Sequence, residues 1–355
     1  MNIKKILVIR FRRIGDAVLS ESICRSLRCS FPNAEIHYVL NDHIAPLFEN
    51  HPDIDKLVTF SRYDMSSTLR YAKKVRRIMK ENDYDVVIDT RSTLKTLLFS
   101  LFSLNTPYRI GRKKSYNRFI QNYRVDNRYN GTGDNVQLLL SLLDPLSRNF
   151  TVVKDPVFRL YCAEEEKTDF RRYMETKGVD FSKPVFVAAV SARLAHKTWS
   201  IGNMTELVRR ILEKYNVQIV FNHADKHEKK HAEQIYCELG SPRQVFTDVE
   251  ARNLRELMAL LSNASFFFGN EGGPRHISQA LNVPSFAIFS PSIPLENWLP
   301  NRSDRFQGVE LKDINPAAAA SKQLAPEEKY ALIDIDSVWN RADKMLSELF
   351  SQKAG

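Results

Sequence analysis

Ile6-Leu7-Val8-Ile9-Arg10-Phe11-Arg12-Arg13-Ile14-Gly15-Asp16 is a short β-branched apolar run that ends in a basic turn and a glycine. From Asp16 to about residue 30 the pattern becomes helical. A strand that is apolar on both faces suits a parallel sheet covered by helices on either side. The alternation continues, with strands expected at 35–40, 56–60 and 85–89, and helices at 69–80, from about 92, and at 134–143. After Pro156 it restarts. Strands are expected at 185–190, 217–221, 265–268 and 285–289, and helices at 204–215, 228–239, 254–261 and 276–281. Two successive βα series predict an α/β chain of two Rossmann-like doubly wound domains facing each other across a cleft. The expected domains are 1–160 and 161–334, with a charged helix at 163–177 beside the junction. Residues 316–326 read as a loop and 335–350 as a terminal helix.

Composition narrows the class. The chain has 355 residues, about twice the usual single-domain length, which leaves room for two cores. It is 43% hydrophobic and 26% charged with only 12 Gly and 15 Pro, which excludes disordered, collagen-like and low-complexity chains. Cys24, Cys29, Cys162 and Cys237 form no CxxC pair and no metal-ligand cluster, so they read as reduced thiols of a cytosolic protein. No apolar run approaches the ~20 residues of a membrane-spanning helix. The basic then apolar start is interrupted by Arg10, Arg12 and Arg13, so it reads as a buried first strand and not as a signal peptide.

Charge is concentrated. Between Arg62 and Arg128 there are 16 Lys/Arg and 6 Asp/Glu, an excess equal to the net charge of the whole chain, +10. Lys73, Lys74, Arg76 and Arg77 read best as a solvated helix face. A second cluster mixes cations with aromatic residues in an expected loop: Tyr108, Arg109, Arg112, Lys113, Lys114, Tyr116, Arg118, Phe119, Tyr123 and Arg124. Such a segment suits the phosphates of a lipid, a nucleic-acid backbone or a membrane surface, and composition alone does not choose among them.

Three constellations carry chemistry. Arg13-Ile14-Gly15-Asp16 follows the first strand, where glycine lets backbone approach a ligand; the plainer reading makes Asp16 an ordinary helix cap. There is no GxGxxG. Ser191-Ala192-Arg193-Leu194-Ala195-His196-Lys197-Thr198-Trp199-Ser200 follows the first strand of the second series, at the edge where open α/β sheets bind ligands. Ser191, Arg193 and Lys197 there suit an anion, and the plainer reading is an exposed basic loop stapled by Trp199. Gly269-Asn270-Glu271-Gly272-Gly273-Pro274-Arg275-His276 is a strand end, a tight glycine turn and a helix start. Free N–H groups and the helix dipole at such a start favour a phosphate, and His276 would add a side-chain donor.

In this order and at these separations the three segments resemble the glycosyltransferase family that contains the bacterial lipopolysaccharide heptosyltransferases. Ile14-Gly15-Asp16 is similar to that family's Leu/Ile/Met-Gly-Asp turn, and Lys197-Thr198-Trp199-Ser200 to its Lys-x-Trp-Pro loop. Asn270 to His276 is similar to its Asn-Asp-(Ser/Thr)-Gly-(Pro/Leu)-x-His motif, with Val283-Pro284 and Ser290-Pro291 continuing it. Tyr84 to Asp89 and Arg109 to Gly111 also resemble it. The chain departs from the pattern at Glu271, Gly272, Ser22 and Ser200.

The resemblance implies a GT-B fold whose last segment, 335–355, packs back on the first domain. It implies metal-independent inverting transfer without a cofactor, from a nucleotide-sugar donor for which ADP-heptose is the family's choice, to an anionic lipid-linked saccharide such as a lipopolysaccharide core. Asp16 matches the general base. Lys197, Glu271, Gly272, Gly273 and His276 fall in the donor region with Ser191 and Arg193. Asp225 or Glu228 stands where a ribose-contacting acid is expected. Arg13, Arg109, Arg112, Lys113 and Lys114 are the acceptor-side candidates. These implications describe a cytoplasmic protein working at the inner membrane surface, without a nucleic-acid partner. The rival expectations are a sugar-nucleotide epimerase on the same fold, a catalytically silent sugar-nucleotide-binding protein, and a basic nucleic-acid-binding protein.

Overall fold

The computed structural model describes residues 2–127 and 133–350. Arg128, the end of the basic segment, and residues 351–355 of the expected terminal segment lie outside the described residues. Contacts divide the chain into two compact units, Met1–Tyr161 and Cys162–Gly355, against an expected break between 160 and 161.

The first unit is one parallel sheet of β1 (Lys5–Ile9), β2 (Glu35–Asn41), β3 (Lys56–Phe60), β4 (Val86–Asp89), β5 (Tyr108–Arg112) and β6 (Tyr123–Val125). Its order is β3-β2-β1-β4-β5-β6. Ile6, Leu7, Val8 and Ile9 of β1 are fully buried, because a central strand has a covered layer on each face. One layer packs Leu7, Ile9, Val39 and Val87 against Tyr71, Val75 and Phe99. The helix Ile14–Ser30 covers the other face, burying Val18, Leu19, Ile23 and Leu27.

The second unit repeats the plan with β7 (Val185–Ala189), β8 (Gln218–Phe221), β9 (Val245–Phe246), β10 (Phe266–Asn270), β11 (Ser285–Ile288) and β12 (Phe306–Val309). Its order is β12-β11-β10-β7-β8-β9, the same doubly wound arrangement read from the other edge. In each sheet the first and fourth strands lie side by side and the order reverses between them. Ile9 pairs with Asp89, and Ala189 with Gly269. The carboxyl ends of β1 and β4, and of β7 and β10, therefore flank the crevice where such sheets take ligands.

Two expectations are corrected. The segment 108–124 is not a loop: it forms β5, a short 3-10 turn at Ser115–Asn117 and β6. Tyr108 and Ile110 are buried and Arg112 is buried with them, so its cations belong partly to the sheet. Residues 316–326 contain a short helix, Pro316–Ala320, where Asn315 caps the start by accepting from the Ala318 N–H. The terminal helix Ile335–Phe350 packs within the second unit. Its stripe of Val338, Ala342, Met345 and Leu346 completes the core built on Phe186, Phe266 and Val208. Phe350 stacks 5.1 Å from Phe186, while Lys214 Nζ–Asp343 (2.7 Å) and Arg210–Asp336 (2.8 Å) pair its polar side with the helix Ile201–Lys214.

Candidate active site

In the first unit the turn after β1 delivers Asp16 as the third residue of the helix, with Arg13 at the cap position. Asp16 does not cap its own helix. Its carboxylate accepts from Arg10 Nη2, and Arg10 Nη1 donates to Thr90 Oγ1 at 3.3 Å. Thr90 is anchored in turn by donating to the Ile9 carbonyl at 2.8 Å. These contacts cross the switch point from β1 to β4. Arg10, Asp16, Leu19, Thr90, Arg112 and Leu138 line a cavity of about 110 Å³.

Arg91 follows Thr90, and its guanidinium is pushed below its ordinary value by burial and by the like charges of Arg12 and Arg10. Asp89 is fully buried and its carboxyl is pushed up by that burial. It accepts from the Arg91 and Ser92 N–H groups at 3.0 and 2.8 Å, which shapes the turn that presents Thr90 and Arg91. Arg10, Thr90 and Arg91 escaped the sequence reading. Arg10 looked like the mere end of an apolar run, and only the strand order places 90–91 beside 10–16.

The acceptor-side candidates separate. Arg112 lines the cavity with Asp16, and its guanidinium donates to the Leu138 and Asp126 carbonyls and to Ser141 Oγ, which knits β5 to the helix Asn135–Leu140. Arg109 donates to the Leu104, Thr106 and Ile120 carbonyls, so it fastens the ends of β5 and is not displayed in a loop. Arg13 and Lys113 are exposed and Lys114 is half-buried. Phe119, 87% exposed, projects beside Arg118.

In the second unit the loop after β7 and the turn after β10 are tied together across the other switch point. Asn270 Oδ1 accepts from the Trp199 N–H at 2.7 Å and from Tyr330 Oη–H at 3.2 Å, and its Nδ2 donates to the Ala189 carbonyl at 2.9 Å. Trp199 is fully buried, its indole N–H donating to the Ile333 carbonyl at 2.8 Å. Gly269 has φ +121°, and a Cβ there would stand 2.3 Å from the Ala189 oxygen. Only glycine lets β10 approach β7 so closely.

This frame brings Lys197 Nζ to 2.8 Å from Glu271 Oε1, with both side chains largely buried. The helix starts at Gly273, so Pro274 is its second residue and Gly272 is the cap. Pro274 has no N–H to offer, while the N–H groups of Gly272, Gly273 and Arg275 make no hydrogen bond among the described residues. His276 is buried, and burial, then the Arg275 and Lys197 charges, push its imidazole down. Arg275 Nη2 donates to its Nδ1 at 2.6 Å and lies 3.0 Å from its Nε2, so the ring is engaged by that guanidinium. Burial pushes Arg275 down to about 9, and it also donates to the Trp298 carbonyl and to Gln279 Oε1 at 2.5 Å each. Ser191 is buried at the end of β7 and Arg193 is exposed on the loop. Asp225 caps the helix Lys226–Glu238, and Glu228 accepts from the Ala224 N–H, so both acids serve that helix start.

One group with metal-ligating side chains occurs among the described residues: Glu21, His51 and Asp53, within 4.8 Å of one another and buried. His51 Nδ1 accepts from the Asp53 N–H at 3.2 Å, so Nε2 carries the proton and donates to the Arg159 carbonyl at 3.1 Å. Neither ring nitrogen is left for a cation.

A sequence model of glycosyltransferase family 9 (heptosyltransferase) matches residues 72–330. The chain belongs to glycosyltransferase family 9. It is 23% identical over 301 residues to lipopolysaccharide heptosyltransferase 1 of Campylobacter coli, covering 82% of this chain and 86% of that one. It superposes on the crystal structure of a family 9 glycosyl transferase from Veillonella parvula with TM-score 0.82, 16% identity and 98% of each chain covered. Against ADP-heptose heptosyltransferase II of Escherichia coli the TM-score is 0.74, with 18% identity and 99% and 100% covered. The fold of this family 9 glycosyltransferase is GT-B.

Proposed function

We propose that this glycosyltransferase moves a heptosyl group from ADP-heptose to an anionic, lipid-linked saccharide of the lipopolysaccharide core, with inversion at the anomeric carbon and without a metal. The observation that carries the reading is the pair of switch-point sites. The second unit has a cation and a glycine helix start suited to a diphosphate, and the first has a carboxylate among arginines. The donor is supported by a relative, an Escherichia coli heptosyltransferase solved with ADP-2-deoxy-2-fluoro heptose (TM-score 0.68, 13% identity).

In this mechanism negative charge grows on the diphosphate as the glycosidic bond breaks. Lys197 and the N–H groups of Gly272, Gly273 and Arg275 are aimed at that charge, so they stabilise the transition state more than the ground state. The Lys197–Glu271 pair keeps the ammonium fixed before the donor arrives, which limits reorganisation at the moment of reaction. Asp16 takes the proton of the acceptor hydroxyl as its oxygen attacks the anomeric carbon from the face opposite the diphosphate. One carboxylate suffices because a nucleoside diphosphate leaves without protonation, whereas glycosidases need two.

Among the described residues no helix is long and apolar enough to cross a membrane. The reading places the chain at the cytoplasmic face of the inner membrane, with Lys113, Lys114, Arg118 and Phe119 at the lipid-linked acceptor. The test is turnover of a panel of nucleotide sugars with a core acceptor. ADP-heptose should be consumed with release of ADP, and consumption of a sugar nucleotide without acceptor, giving an epimerised sugar, would favour the rival enzyme.

A further inference from the structure

Asp16 is held by a cation before any substrate is present. Arg10 spends one guanidinium nitrogen on the Asp16 carboxylate and another on Thr90, while its Nε is buried without a hydrogen-bond partner. One oxygen of that carboxylate, Oδ1, is thus taken up by Arg10. Arg91 stands close by, coupled to Arg10, Arg12 and Asp16, and its side chain makes no hydrogen bond among the described residues. Positive charge is thus in excess around Asp16 in this crevice. The cavity beside it, about 110 Å³ and lined by Arg10, Asp16, Thr90 and Arg112, has room for a carboxylate or phosphate group, since water fills about 30 Å³.

We propose that Arg10, with Arg91 beside it, is an anion-binding subsite for the acceptor, and that an acceptor oxyanion entering the cavity draws the Arg10 guanidinium from Asp16 and frees the base. The subsite rests on the reading of Asp16 as base. It makes Arg10 a positioning residue, and it makes the acceptor's own charge a condition for turnover. An acceptor with its hydroxyl but without the neighbouring anion would bind and leave Asp16 clamped. Arginine suits the exchange because its planar fork meets a carboxylate or a phosphate with two parallel bonds. The oxyanion is either a sugar carboxylate or a sugar phosphate, and the experiment separates them.

The full chain is melted without donor in sodium acetate, in inorganic phosphate and in chloride at equal ionic strength. The anion of the right class should raise the melting temperature by about 2–4 °C at ten times its dissociation constant. Acetate alone identifies a carboxylate subsite, phosphate alone a phosphate subsite, and no rise with either overturns the proposal. The rise should vanish in Arg10→Gln and persist in Arg10→Lys and in Lys197→Ala. A rise that survives Arg10→Gln, or is lost only in Lys197→Ala, places the anion in the second unit and overturns it. Should Arg10→Gln fail to fold, Arg91→Gln should still weaken the rise at least severalfold.

A kinetic arm checks the release. Blocking the acceptor's anion should lower kcat of the wild type by ~10–100-fold, as expected for a lost charge-assisted bond, and leave Arg10→Gln indifferent to the block. An equal fall in both proteins contradicts the release. If Asp16→Asn stays active, the base assignment fails while the anion-dependent melting remains, so the two failures are told apart.

Discussion

The two units carry the same sheet, strand for strand, and put opposite machinery at the same place. At the first switch point two arginines and a threonine surround Asp16, which the helix Ile14–Ser30 offers from its first turn. At the second a glycine-bound frame holds Lys197 against Glu271, and a helix start displays unpaired N–H groups. Topology fixes where a ligand can sit, and the few residues after each strand decide what chemistry it meets. The first site is built from side chains and is adjustable. The second is built from backbone and is rigid: Asn270 spans two strands, Trp199 is buried, and Gly269 lies against Ala189. Under the proposed function the donor, whose charge must be met at a fixed point, would use the rigid site, and the acceptor would use the adjustable one.

Asp16→Asn bears most heavily on the first site. Turnover should fall by ~10²–10⁴ while donor binding and melting stay near those of the wild type; single-turnover kinetics with a donor titration check it. A variant with ordinary turnover would strip the first site of its catalytic role. Gly269→Ala probes the rigidity of the second. A methyl group driven toward the Ala189 oxygen at positive φ should destabilise the second unit by about 2 kcal/mol or more, measured by urea denaturation. A variant as stable as the wild type would mean that the close approach of β10 to β7 can relax.

Lys197→Ala comes next. It removes one charge-assisted contact and leaves Glu271 largely buried without its partner. The donor KM should rise ~10–100-fold with little change in the acceptor KM. Glu271→Gln should be milder, because the ammonium remains.

The smallest effect concerns Glu21, which burial pushes up to about 8 although it accepts from the Arg159 N–H at 2.7 Å. Its folded form holds a proton that the unfolded chain releases near the ordinary carboxylate value. Stability from this group is therefore full at acid pH and is lost as pH rises toward about 8. Glu21→Gln should flatten the fall in melting temperature between pH 5 and pH 8 by a few degrees. An unchanged slope would mean that Glu21 is ionised in the fold.

Much of the frame was legible in the residues. Continuous apolar runs such as 6–9 and 185–190 can only be strands covered on both faces, and glycine turns after them mark where backbone must approach something. The rest was hidden for physical reasons. β5 carries Arg109 and Arg112, whose guanidiniums are satisfied by distant carbonyls, so the segment read as a basic loop. β9 has two residues and leaves no periodicity to read. The terminal helix has an apolar stripe whose partners, Phe186, Phe266 and Val208, are far away in sequence and leave no mark in its own pattern. Of the candidate site, Asp16, Lys197 and the 270–276 turn were visible because each lies in the segment that follows a recognisable strand. Arg10, Thr90 and Arg91 were not, because their meaning depends on β1 and β4 being neighbours.

In the proposed function the diphosphate is gripped by the second unit alone, at the turns after β7 and β10. Hydrogen exchange of the full chain with and without ADP tests it most directly. Slower exchange at 190–200 and 271–276, with 10–16 and 89–92 unchanged, is the predicted result. Protection centred on 10–16, or none at 271–276, would contradict it.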